Sequence, residues 1–292
     1  MYGAPPVIKT EVFARLPDTF RRSTAKPQCF LEGPAFDRAG NLYVVNIPLG
    51  QILKVSPQGD FSLLTEYDGE PNGLAIHKDG TLYVADHRRG LLTVNPDTGA
   101  VKTIVDRPRR EGFKGLNDLT FSSEGDLYFT DQGQSGLQDP SGRLWKWSEK
   151  EGLELLLDNI PSPNGIVVSL DERLLYLAVT RANAVWRVPV RGRGGVGRVG
   201  VFLNMSGGAG PDGMALDAAG NLAVAHIGSG SVWLFSATGR PLAEIHADKG
   251  TMTTNIAYGG PDGKTMFITE SETGCILTAR LDVAGHALYA HC

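Results

Sequence analysis

A short polar signature returns six times along this chain, and no other feature limits its fold as strongly. Glu32-Gly33-Pro34 is followed by Pro71-Asn72-Gly73, Leu116-Asn117-Asp118, Pro163-Asn164-Gly165, Pro211-Asp212-Gly213 and Thr254-Asn255-Ile256. Each sets a carboxylate or carboxamide just ahead of a short apolar run. Positions 32, 72, 117, 164, 212 and 255 stand 40, 45, 47, 48 and 43 residues apart. A period of this size marks a repeat architecture, in which each unit is one supersecondary element stacked on the next. A second mark holds the register. Apolar runs end at Asn46, Asp86, Asp131 and His226, each 14 residues after its unit's polar residue, and at Glu270, 15 residues after. The corresponding run of the fourth unit ends at Thr180 without a charge.

Within each unit, Gly and Pro divide the chain into short apolar runs. In the first these are 34–36, 42–45, 52–55 and 61–64, separated at Gly40, Gly50 and Pro57-Gln58-Gly59. Turn signals at this density specify antiparallel strands, and no long window carries a helical period. Six units of four strands predict an all-β, six-bladed β-propeller that occupies residues 1–292 as a single domain. The last unit supplies only three runs, 256–258, 266–269 and 275–281. Residues 7–16 are expected to provide its outer strand, which closes the ring and covers an edge. Hydrophobic residues make up 41% of the 292, enough for a large core.

Several classes are excluded or disfavoured. A net charge of −4 gives no global field for nucleic acid. No apolar run approaches the roughly 18 residues that span a bilayer, and the first twenty residues lack the apolar heart of a signal peptide. The three cysteines, Cys29, Cys275 and Cys292, have no CxxC spacing and suit a reducing compartment. The reading is a soluble, cytoplasmic protein. Its oligomeric state is not legible.

In such a blade the first strand lies innermost, with its polar leader at one mouth of the central channel. Glu32, Asn72, Asn117, Asn164, Asp212 and Asn255 are therefore expected to form one ring. Asn46, Asp86, Asp131, Thr180, His226 and Glu270 are expected to form a wider one. Two carboxylates among amides make an oxygen-rich set that suits a hard divalent cation. Taken singly, Asn-Gly and Asp-Gly are also ordinary turn pairs. Asp131 or His226 could accept a proton at the mouth, although His226 could equally be structural. Asp86 and Glu270 read as solvated strand ends, and Asp118 as a contact to a neighbouring loop.

The ordered set Glu-Gly-Pro, Asn-Asp, Pro-Asn-Gly and Pro-Asp-Gly resembles the senescence-marker-protein-30/gluconolactonase/luciferin-regenerating family over about residues 30–282. The stretch Leu127-Tyr128-Phe129-Thr130-Asp131 and the Gly-rich insertion after it are most similar to its drug-responsive lactonase branch. The resemblance implies a hydrolase that opens a small lactone with one catalytic divalent metal. Calcium is the first expectation, with Mg²⁺, Mn²⁺ or Zn²⁺ as alternatives. It places metal ligands on Glu32, Asn164 and Asp212, proton transfer on Asp212 and substrate contact on Asn117. Asn72, Asn117, Asp131, His226 and Asn255 are then expected to face the substrate. Sugar-lactone members often carry an arginine two residues before this asparagine, where the chain has Gly115, preceded by Lys114; aldonolactones are therefore poor candidate substrates. Two alternatives stay open: other carbonyl or ester chemistry at the same metal, or a propeller that only binds a partner.

The remaining signals carry less. Gly192-Arg193-Gly194-Gly195-Val196-Gly197 matches GxGxxG but opens no helix, so it reads as a turn between strands. Arg107, Arg109 and Arg110 read as a solvated loop, with a lid for an anionic substrate as the other reading. Trp145, Trp147, Trp186 and Trp233 are expected to pack between blades.

Overall fold

The computed structural model describes residues 3–24, 26–108, 110–191 and 195–291. Its strands form six sheets arranged as the blades of a propeller. The innermost strands are Leu31–Phe36, Pro71–Ile76, Leu116–Phe121, Pro163–Val168, Gly210–Leu216 and Thr253–Gly259. Each contacts the inner strands of the blades on either side, and the sixth returns to the first. The chain runs outward through each blade by antiparallel pairing. Tight turns make this possible. Between the first two strands of blade one, the Asp37 carboxylate accepts the amides of Ala39 and Asn41 at 2.9 and 2.8 Å, and Gly40 takes a positive φ of 81°. No helix of the described residues is long and apolar enough to cross a membrane.

The core is divided among the blade interfaces. Each of the six interfaces holds one apolar cluster. Tyr83, Ala85 and Leu91 of blade two, for example, meet Leu116, Phe129 and Trp145 of blade three. This follows from the sequence: strands buried on both faces need apolar side chains on both. All four tryptophans lie in or against these clusters, as expected. Cys29 and Cys275 are buried and unpaired, while Cys292 and residues 192–194 of the Gly-rich turn lie outside the described residues. The part of that turn that is described lies between strands: Val190 bridges Val196, and the Gly197 amide donates to Pro189.

The closure of the ring differs from the expectation in one respect. Residues 7–16 are two strands, not one. Glu11–Arg15 pairs antiparallel with Cys275–Arg280 and completes blade six. Val7–Lys9 crosses to blade five and adds a fifth strand, parallel to Pro241–His246. The chain changes sheet at Thr10, whose amide donates to the His246 carbonyl at 3.2 Å. One ribbon thus covers two sheet edges. Ala14 and Leu16 are buried in the cluster between blades six and one, whereas Val7 is exposed. Deleting residues 1–10 should therefore leave a folded protein melting a few degrees lower. Deleting residues 1–16 also removes core, bares a long edge and should give aggregation. Gel filtration and thermal melts of the two truncations check this.

Candidate functional site

The channel mouth is built from a repeated irregularity. In all six blades the pairing of first and second strands shifts register at the polar signature. Such bulges turn a side chain out of the alternating pattern. Glu32, Asn117, Asn164, Asp212 and Asn255 come out buried, and Asn72 half-buried. The glycines of the signature let the inner strands approach. A Cβ at Gly213 would lie 2.1 Å from the side-chain carbonyl carbon of Asn255, and one at Gly73 would lie 2.8 Å from Asp118 Oδ1. Hydroxyls then tie neighbouring blades: Thr130 donates to the Asn164 carbonyl at 2.9 Å, Thr180 to Pro211 at 2.8 Å and Thr254 to Leu31 at 2.8 Å.

The bulges make their own hydrogen bonds. Glu32 accepts the Gly33 amide at 2.9 Å, Asp118 that of Leu119 at 2.8 Å, and the Asn255 side-chain oxygen that of Ile256 at 2.8 Å. The Asn255 amide donates to Glu32 at 2.9 Å and also to Asp118. Asn164 donates to Asp212. The Asn117 amide donates to Gln132 at 3.0 Å. Glu32, Asn255 and Asp118 thus form one hydrogen-bonded network across three blades, Asn164 and Asp212 form a separate pair, and Asn117 is held by Gln132.

Asp118 belongs to this network, not to a neighbouring loop alone. It is 7% exposed and sits where four other units carry glycine. Three carboxylates therefore crowd one channel. Burial raises all three pKa values, and at Glu32 and Asp212 repulsion from a neighbouring carboxylate adds to it. Glu32 is held well above the usual range by burial and then by Asp212 and Asp118. Burial and Asp118 push Asp212 up to about 8. Burial lifts Asp118 to about 6 against the opposing hydrogen bonds from Leu119 and Ile166. None of the ion pairs among the described residues involves these three. Towards the opposite face the channel widens into a cavity of about 1180 Å³, walled by residues such as Leu74, Leu119, Ile166, Met214 and Ile256. That apolar wall strengthens every charge interaction at the ring.

The wider ring has a different role. Asn46, Asp86, Asp131 and Glu270 are fully buried, so the expectation of solvated ends at Asp86 and Glu270 is corrected. Each anchors the loop that leads into its blade. Asn46 accepts the Phe30 amide, Asp86 that of Glu70, and Glu270 that of Met252. Asp131 accepts the amides of Lys114 and Gly115, at 2.7 and 2.9 Å, and then Arg143 and Trp145. His226 is 2% exposed and bonds the Gly207 carbonyl at 3.0 Å, and burial lowers its pKa. Asp131 and His226 were expected to face the substrate or take its proton. Both bond the loops beside them, Asp131 through the Lys114 and Gly115 amides and His226 through the Gly207 carbonyl. In the long loop before blade three, Arg107 pairs with Asp106 at 3.2 Å, Arg110 is exposed and Arg109 lies outside the described residues.

The donor set fits a hard divalent cation. It is carboxylate and carboxamide oxygen, it is buried, and among the described residues no ion pair supplies it a compensating positive charge. Among the described residues no three His, Cys, Asp or Glu side chains form a metal-binding cluster by themselves. The ligand set expected above holds two carboxylates and draws its third oxygen from Asn164.

The same chain shows clear relatives. The model of the SMP-30/gluconolactonase/LRE-like region matches residues 30–272. A lactonase drp35 of Staphylococcus aureus is 29% identical over 225 residues, 74% of this chain and 69% of that protein. A gluconolactonase of Zymomonas mobilis is 29% identical over 272 residues, 82% of this chain and 76% of its own. Among solved structures, the calcium-binding protein regucalcin of Agrobacterium tumefaciens superposes with a TM-score of 0.82 at 23% identity, covering 98% of this chain and 99% of that one. That likeness speaks to the fold. With nearly the whole ring inside the matched region, the chain belongs to the SMP-30/gluconolactonase/LRE-like family.

Proposed function

We propose that the protein is a lactone hydrolase that works at the mouth of the channel with one divalent cation held by Glu32, Asn164 and Asp212. One observation carries the reading: three buried carboxylates share a channel lined with amides and have no cationic partner among the described residues. Relatives named as lactonase and gluconolactonase support the reaction class, and a neighbour named as calcium-binding supports Ca²⁺. A cation bound there supplies electrophilic polarisation of a carbonyl oxygen.

The chain's own residues do the rest. Water adds to the lactone carbonyl carbon, and Asp212 accepts its proton. The bond from that carbon to the ring oxygen breaks, and the same proton passes to the leaving oxygen. The product is a hydroxy acid. Asn117 holds the lactone in line. Its amide is fixed by Gln132, so its orientation is set before the substrate arrives. Asn255 keeps Glu32 and Asp118 apart on its two N–H bonds.

Ring opening of a lactone panel, followed as acid release with Ca²⁺, Mg²⁺, Mn²⁺ or Zn²⁺ and with EDTA, tests the proposal. No release above the EDTA control from any lactone would overturn it. Asn117→Ala is expected to keep the metal content of the wild type and to lower kcat by about 10- to 100-fold, the size of a lost orienting contact. Equal kcat with a raised KM would instead make Asn117 a plain binding residue.

A further inference from the structure

Beside Asn117 lies a second, smaller cavity of about 470 Å³. It is formed by the insertion after the second strand of blade three and by the entry to blade four. Its lining includes Gln132, Gln134, Ser135, Gln138, Ser162 and Arg181. Arg181 is the only charged side chain on that lining, and it enters no ion pair among the described residues. It stands exposed in the short 3₁₀ turn Thr180–Ala182, directly after the second strand of blade four.

The floor of the pocket is rigid. Gln132 donates to Ser162 Oγ at 2.9 Å while its carbonyl oxygen accepts from Asn117. Ser135 Oγ accepts the Ser162 amide at 3.0 Å, and Ser162 O accepts that of Thr180. Ser162 holds a φ of 65°, a strained conformation for a non-glycine residue that persists only where its surroundings fix it. Gly136 and Asp139 exchange two backbone hydrogen bonds and close the insertion on itself. This is a polar, prearranged recess whose lining residue Gln132 bonds Asn117, the residue expected to hold the lactone.

We propose that this recess is an anion subsite, in which Arg181 pairs with a carboxylate carried on the ring of the lactone substrate. The inference rests on the lactone-hydrolase reading and names the substrate class it had left open. Three features select an anion over a neutral group. The lining has one positive and no negative side chain. The side-chain amides of Gln134 and Gln138 on the lining can donate hydrogen bonds. A guanidinium recognises a carboxylate through paired N–H bonds. Gln132 joins subsite and site, since one side chain touches both Ser162 and Asn117. A substrate held at Arg181 therefore presents its ring to the mouth in one orientation.

A matched pair of γ-lactones tests this. One is the γ-lactone of α-hydroxyglutarate. The other is γ-valerolactone, with a methyl group where the first has its carboxylate. Both are titrated into calcium-loaded wild type and Arg181→Gln by NMR, and ring opening is then followed by acid release. Wild type should bind the carboxylate lactone about tenfold more tightly, the value of a charge-assisted hydrogen bond. Arg181→Gln should bring the two affinities together, and Arg181→Lys should keep part of the preference. Equal affinities in wild type, or a preference unchanged in Arg181→Gln, overturn the subsite. If the preference is present and lost as expected but no lactone of the full panel is opened, the subsite stands and the hydrolase reading falls.

Discussion

Asp212→Ala should lower lactone opening by about three orders of magnitude or more in kcat/KM, the scale set by losing a metal ligand and a proton acceptor together. The variant should also purify without its equivalent of metal. Asp212→Asn is the sharper case, because it keeps the shape and the partner Asn164 while removing the charge. It should be nearly as inactive. In chelator at pH 8 it should also melt higher than wild type, since it removes a buried charge that Asp118 and Glu32 oppose. Greater stability with lost activity is the mark of a site built against the fold's own preference. A fully active, metal-replete Asp212→Asn would show that the cation and the proton acceptor lie elsewhere.

In EDTA, the wild-type protein should lose stability as the pH rises from about 4 to about 8. The sign follows from the direction of the shifts. Asp212 and Asp118 bind protons more tightly folded than unfolded, with folded values of about 8 and about 6, and Glu32 shifts the same way. Below the unfolded carboxylate range, near pH 4, both states are protonated and nothing is lost. As the pH climbs towards the folded values, the unfolded chain releases protons first, so unfolding becomes easier. The total is on the order of a few kcal/mol, or about 5 °C or more in Tm. Saturating Ca²⁺ should reverse the trend, because the cation favours the charged carboxylates. Its stabilising effect should be far larger at pH 8 than at pH 5. Thermal melts across pH with EDTA or Ca²⁺ check both slopes, and a Ca²⁺ effect independent of pH would separate the cation from these carboxylates.

The architecture was legible because the signature marks a position that every blade must fill. A bulge on an inner strand falls at one register in each repeat, so Glu32, Asn164 and Asp212 could be aligned without any coordinates. Asp118 was hidden by the same alignment, being one step past the repeating position. Its signal was present: it replaces the glycine of Gly33, Gly73, Gly165 and Gly213. The loop hydrogen bonds of Asp131 and His226 were silent in the sequence, because only tertiary packing brings a polar strand end against the loop beside it. The division of residues 7–16 was equally silent. Both halves read as strand, and nothing local says that Val7–Lys9 lies parallel on blade five. Gln132, Ser162 and Arg181 share a pocket only once blades three and four are side by side.

The buried caps at Asn46, Asp86, Asp131 and Glu270 fasten at its base the loop that leads into each of blades one, two, three and six. A loop so fastened behaves as a cartridge in a socket. Its length and composition can change without disturbing the bulge that presents the inner-ring side chain. The scaffold can therefore be retargeted one cartridge at a time: replacing 110–112 alone should change which substrates enter, while the chemistry at Asp212 stays in place.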